Sequence, residues 1–131
     1  MSHFTTIKTV ISNQVVLEDT LRSLHYDFRV GEALAIRGYQ GNRTTGQVVV
    51  NTGSAYDIGF QRQEDRAFAV CADWWGVQKD TPLRQDEFLR EVNQAYSHRA
   101  VKREVLTQGY IIESEKVLKN GEIELVVCEP I

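Results

Sequence analysis

At 131 residues, the chain is long enough for one domain whose core needs no covalent staples. A formal charge of -3 argues against a generic electrostatic binder of nucleic acid. No apolar stretch approaches the roughly 18 residues of a membrane-spanning helix. With only Pro82 and Pro130, a long disordered linker is not suggested.

The opening Met1-Ser2-His3-Phe4 lacks the apolar centre of a signal peptide, so an unprocessed cytosolic or organelle-matrix protein is expected. Residues 3–11 combine Phe4, Ile7, Val10 and Ile11 with threonines and lysine and read as a first strand. Ser12-Asn13 offers a helix cap, and Leu17, Leu21 and Leu24 step four then three along one helical face. That short helix is expected at about 13–25. Tyr26 to Val30 then resumes an extended pattern, which Gly31-Glu32 breaks.

Three apolar runs follow: Val48 to Val50, Tyr56 to Phe60, and Phe68 to Cys71. Tyr56, Ile58 and Phe60 fall on alternate positions, and turn residues separate the runs, which predicts a three-stranded antiparallel meander. Thr81-Pro82 or Asp86 starts a main helix to about Gln108, ended by Gly109. Its stripe of Phe88, Leu89, Val92 and Tyr96 drifts at Val101 and Val105, which leaves either a kink near Ser97-His98 or a second helix capped by Ser97. We favour a near-continuous helix. Residues 110–112 and 123–127 are the last strands, joined by Asn120-Gly121, a type I′ hairpin signal.

The order predicts a single α+β domain over 1–131, with a mainly antiparallel sheet of about six strands. One short and one long helix, the latter at about 82–108, pack on one face and leave the other partly open. The expected core is Ile7, Leu17, Leu21, Ile58, Phe60, Phe68, Val70, Phe88, Val92, Tyr96, Ile112, Ile123 and Leu125.

Arg37-Gly38-Tyr39-Gln40-Gly41-Asn42-Arg43 is the stretch most suited to binding. Its glycines let backbone amides approach a ligand, Arg37 and Arg43 suit phosphate or carboxylate, and Tyr39 can stack. It matches no nucleotide-binding glycine motif, and a solvated polar connection is the plainer reading. Trp74 and Trp75 stand at an expected strand end, where alternation sends adjacent side chains to opposite faces. Trp74 shares the parity of Phe68 and Val70 and is the expected buried member, leaving Trp75 as an exposed anchor.

Cys71 and Cys128 lie far apart in apolar strand-like contexts, the setting of buried reduced thiols. With His3, His25 and His98 they show no metal-ligand spacing. Glu87 and Glu91, among Arg84, Arg90 and Lys102, read as a solvated mixed-charge face. No nucleophile–histidine arrangement can be placed, so catalysis, cofactor and metal all lack a sequence signal.

Several segments carry a family resemblance: Met1 to Phe4 with Ile7-Lys8-Thr9, Arg37-Gly38-Tyr39-x-Gly41, and Tyr56 to Phe60. Ala72-Asp73 before tryptophan, Phe88-Leu89-x-x-Val92-x-Gln94-x-Tyr96 and Gly121-x-Ile123-x-Leu125-Val126-Val127 complete the set. The chain resembles the hypothetical chloroplast reading-frame family thirty-five (ycf thirty-five-like) of cyanobacteria and red-algal plastids. The resemblance implies a cyanobacterial cytoplasm or plastid stroma, and brings no catalytic residue with it. It also carries an association with small ferredoxin-type proteins. This chain has no cluster-binding cysteine set, so any iron–sulfur link would run through such a partner.

Two functions are therefore expected. One is a non-catalytic accessory or assembly protein that binds another protein. The alternative is a binder of a small anionic ligand or RNA. Candidate contact residues are Arg37, Gly38, Tyr39, Gly41, Arg43 and Trp75.

Overall fold

The computed structural model describes residues 3–129. Strands Thr5–Lys8, Asp27–Arg37, Arg43–Asn51, Asp57–Arg62 and Phe68–Ala72, here β1 to β5, form one antiparallel sheet in the order β1-β5-β4-β3-β2. Helices Gln14–Ser23 (α1) and Gln85–Thr107 (α3) cover one face, and a short helix Trp74–Asp80 (α2) follows β5. Strands Ile111–Val117 (β6) and Ile123–Cys128 (β7) pair only with each other. The α+β class and the antiparallel sheet are as expected. The strands divide into five and two rather than one sheet of about six.

The meander has the alternation its sequence implies. Val48 stands opposite Phe60, and Phe60 opposite Val70, all three facing the helices. Val49, Gly59 and Cys71 turn to the other face, where Ile36, Phe4 and Leu34 cover them. Phe88 of α3 holds the main core together, with ring centroids 5.4 Å from Tyr26 and 5.7 Å from Trp74.

Both longer helices are closed by their own sequence. Asn13 accepts a hydrogen bond from the Val16 amide at the start of α1. The Tyr96 hydroxyl of α3 accepts from the Ser12 and Asn13 amides, tying the two helices together. At the end of α1 the Tyr26 amide reaches the Leu21 carbonyl and the His25 amide that of Arg22, with His25 at φ 66°. The same pair of bonds ends α3, where Gly109 stands at φ 88° as its sequence position implies. The residue after the cap must turn left-handed. Glycine does this freely, and His25 does it at a steric penalty of about 1–2 kcal/mol.

Several expectations need correction. Trp74 and Trp75 open α2 instead of ending a strand, because Asp73 accepts from the Gly76 amide and caps the turn. β2 runs on through Gly31-Glu32, and the ladder absorbs the irregularity between Val30 and Leu34. Of the two expected starts of α3, Pro82 is not used and the observed start at Gln85 lies beside Asp86, since Thr81 is occupied with the Val77 carbonyl and the Leu83 amide. Of Asn120 and Gly121 only the glycine has positive φ, so the turn is not type I′. Ile7, Ile112, Ile123 and Leu125 are only partly buried. The last three belong to the separate hairpin, whose inner face meets a single helix.

Candidate functional site

The register of the sheet poses a geometric problem that its shape solves. Arg37, at the end of β2, stands opposite Arg43 at the start of β3. Asp57 stands opposite Asn51, at the far end of β3. A straight strand would separate Arg43 from Asn51 by about 26 Å. Yet the Arg37 amide and Nε donate to Asp57 Oδ2 at 2.8 and 2.9 Å, and its Nη2 donates to Asp57 Oδ1 at 2.9 Å. The β2–β3 hairpin therefore curls back over the outer face of the sheet, bending where the ladder slips between Val30 and Leu34.

Small residues permit this closure. A Cβ on Gly59 would lie 2.0 Å from Ile36 Cδ1, so Ile36 seats directly on the glycine backbone. A Cβ on Gly38 would lie 2.6 Å from the Phe4 ring, which covers the hairpin tip. Ile36, Val49 and Cys71 form the small second core inside the curl. Burial raises the Cys71 thiol above its ordinary pKa.

The curl gathers most of the sequence-predicted contact residues at one end of the molecule. Residues 39–41 make a single tight turn, with Gln40 at φ 50° and Gly41 at φ 80°. Tyr39 meets Trp75 edge to face at 6.0 Å, and Lys79 Nζ lies 4.8 Å from the same indole. Trp75 is 48% exposed, whereas Trp74 is 4% exposed. The expected partition of the tryptophans is met, but helical geometry at α2 produces it, not strand alternation. Gly76 lets α2 lie against the Tyr56 ring, 2.1 Å from where a Cβ would be.

Arg37 is engaged, because both oxygens of the buried Asp57 carboxylate are satisfied by it. This contact raises the Arg37 pKa. The Gly38 amide is also used, donating to the Asn42 carbonyl at 2.8 Å. Arg43 remains exposed, and no ion pair to it occurs among the described residues. Sequence reasoning missed Asp57, Lys79 and Arg29, which lines a cleft of about 360 Å³ with Arg37, Arg43 and Asp57. The missing signal is long-range, since nothing local marks Asp57 as the acid that meets Arg37.

A second concavity of about 770 Å³ runs between α3 and the β6–β7 hairpin, lined by Val101, Val105, Ile123, Leu125 and the more polar Arg90 and Gln94. Glu115 of β6 joins Lys102 at 2.5 Å and His98 at 2.9 Å, and Gln94 donates to the Gly121 carbonyl. Lys102 and then His98 hold the Glu115 carboxyl below its ordinary pKa. Both cysteines are free, and Cys128 is only half-buried, its thiol donating to Glu113 at 2.6 Å. Among the described residues, no group of three or more His, Cys, Asp or Glu is placed to hold a metal ion. No helix among the described residues is long and apolar enough to cross a membrane.

Fold and site together define a small α+β protein built on a curled antiparallel sheet with a folded-back hairpin. The chain belongs to the family described as Protein of unknown function (DUF1257), whose model matches residues 20–126. It is 28% identical over 129 residues to "Uncharacterized protein ycf35" of Cyanophora paradoxa, covering 97% of this chain and 96% of that one. Proteins of the same name from Guillardia theta and Pyropia yezoensis are 28% and 25% identical over 127 and 128 residues, with the same coverage. The resemblance found in the sequence motifs is thereby met. No solved structure matches the chain.

Proposed function

We propose that this chain is a non-catalytic accessory or assembly protein that binds another protein through the hairpin tip and the start of α2. The observation that carries the reading is Trp75, held at the surface between Tyr39 and Lys79. Tryptophan is among the side chains enriched at the energetic centres of interfaces. Because its neighbours already restrict it, little rotamer entropy is left to lose on binding. A setting in plastid stroma or cyanobacterial cytoplasm draws support from the plastid-encoded relatives. The alternative reading, a small anion or RNA at residues 37–43, draws support from the charge at both ends of that segment.

Affinity capture from cyanobacterial lysate, with wild type and Trp75→Ala compared by quantitative mass spectrometry, tests the reading. A protein that wild type enriches should fall at least about tenfold with the variant, while both forms melt alike. Captured proteins unaffected by Trp75→Ala would overturn it.

A further inference from the structure

The curled hairpin leaves a charge imbalance that the fold itself does not resolve. Arg37 and Arg43 are direct cross-strand neighbours, and like charges in that relation repel. Asp57 neutralises Arg37 with both of its oxygens. Its one negative charge is matched by Arg37 and does not offset Arg43, or Arg29, which faces the same cleft from the earlier part of β2. Among the described residues neither Arg29 nor Arg43 has an ion pair. The nearby acid Asp27 accepts instead from the Asn51 amide group at 3.3 Å. The cleft is thus an end of the molecule where positive charge exceeds negative, in a chain whose total charge is -3.

We propose that this cleft binds the phosphoryl group of a small phosphate monoester, held between the guanidinium groups of Arg29 and Arg43. Arg37 forms a wall that Asp57 keeps in place. The shape of the anion decides between classes. A carboxylate presents two coplanar oxygens and is satisfied by one guanidinium fork, the relation Asp57 already has with Arg37. A phosphoryl group presents three oxygens in a tetrahedral array, so forks arriving from two different strands can both bind it. The volume of about 360 Å³ exceeds that of the phosphoryl group alone and lies at the lower end for small-molecule sites. The site differs from the one the sequence suggested: Arg29 enters, and Arg37 and the Gly38 amide are already engaged. It is independent of the protein contact at Trp75.

The test uses the full chain and the Nε–Hε signals of its arginines in nitrogen–proton correlation spectra, titrated with glycerol phosphate at constant ionic strength. The Arg29 and Arg43 signals should shift saturably while Arg37 moves little. Arg29→Gln and Arg43→Gln should each weaken binding roughly tenfold or more, with unchanged melting temperature. Chloride or malonate producing the same shifts would overturn the assignment, as would wild-type affinity in either variant. A single-stranded RNA that binds more tightly than the monoester and needs the same arginines would replace it with the RNA reading.

Discussion

Arg37 and Asp57 join the two ends of a strand ladder that register alone would keep about 26 Å apart. The pair is lopsided, since Asp57 is 1% exposed and the Arg37 side chain 42%. Removing the two partners therefore has unequal effects. Arg37→Ala leaves a buried carboxylate with the residue-37 amide but no counter-charge, and should destabilise by about 3 kcal/mol. Asp57→Ala frees an arginine that water can reach, and should cost less, about 1–2 kcal/mol. Urea denaturation of both variants measures the difference, and equal losses would contradict the asymmetry.

Gly59→Ala tests the curl without touching a charge. The new methyl group would meet the Ile36 side chain at 2.0 Å, far inside contact distance, so Ile36 must leave its rotamer or the hairpin must lift. A loss of about 1–3 kcal/mol is expected. Ile36→Ala in the same background should recover part of it, which a double-mutant cycle detects.

Trp74→Ala and Trp75→Ala should differ in kind. Trp74 packs on Phe88 with a centroid separation of 5.7 Å, and its truncation should cost about 3–5 kcal/mol. Trp75→Ala removes a surface ring and should stay within about 0.5–1 kcal/mol of wild type. Thermal melts decide it.

Two titrations bracket the pH range of stability. Glu115 is a carboxyl whose folded pKa is depressed by Lys102 and His98. Its contribution is present above the ordinary carboxyl pKa and is lost as pH falls through the lowered value. The hairpin should therefore loosen in acid before the five-stranded sheet does. Tyr26 is the opposite case, raised above its ordinary 10.0 by burial and then by its hydrogen bond to Glu91. That contribution is complete below pH 10 and is lost at higher pH, and Tyr26→Phe should remove this alkaline dependence. Circular dichroism melts from pH 3 to 11 follow both.

The thiols should be distinguishable by rate. Cys71 is 2% exposed and its pKa is raised by burial, so in the native protein it should resist an aromatic disulfide reagent. Cys128 is half-buried and should react first, though slowly, because Glu113 disfavours its thiolate. Mass spectrometry of the labelled protein should show one modified cysteine before any unfolding.

Local chemistry was legible wherever one residue type decides one backbone event. Asn13 as a cap, Gly109 as a helix stop and the alternation through Ile58 and Phe60 all follow from nearest-neighbour physics. Trp74 and Trp75 show the limit. An aspartate after an apolar strand serves equally as a strand-end residue or a helix cap, and only the Gly76 amide within reach of Asp73 selects the second. Gly31-Glu32 resembles a break, because sequence does not distinguish a turn from a bulge that bends a continuing strand. The candidate contact residues were read from sequence as the 37–43 segment and, separately, Trp75. Their environment was not legible, since Asp57, Arg29 and Trp75 are brought to the 37–43 loop by a bend that no short window contains.

The separate pairing of β6 with β7 gives the molecule two tiers of opening. The amides of the five-stranded sheet are locked by two cores, and deuterium should enter its central strands only when the whole domain unfolds. A two-stranded sheet alone is barely stable in water, and this one leans on α3 chiefly through Gln94, His98 and Lys102. Residues 111–128 can therefore detach, exchange their hydrogens and redock while the rest of the chain stays folded. A protease acting on the native protein should make its first cut there, and leave behind a resistant fragment that still holds the tip of the curled hairpin closed on Asp57.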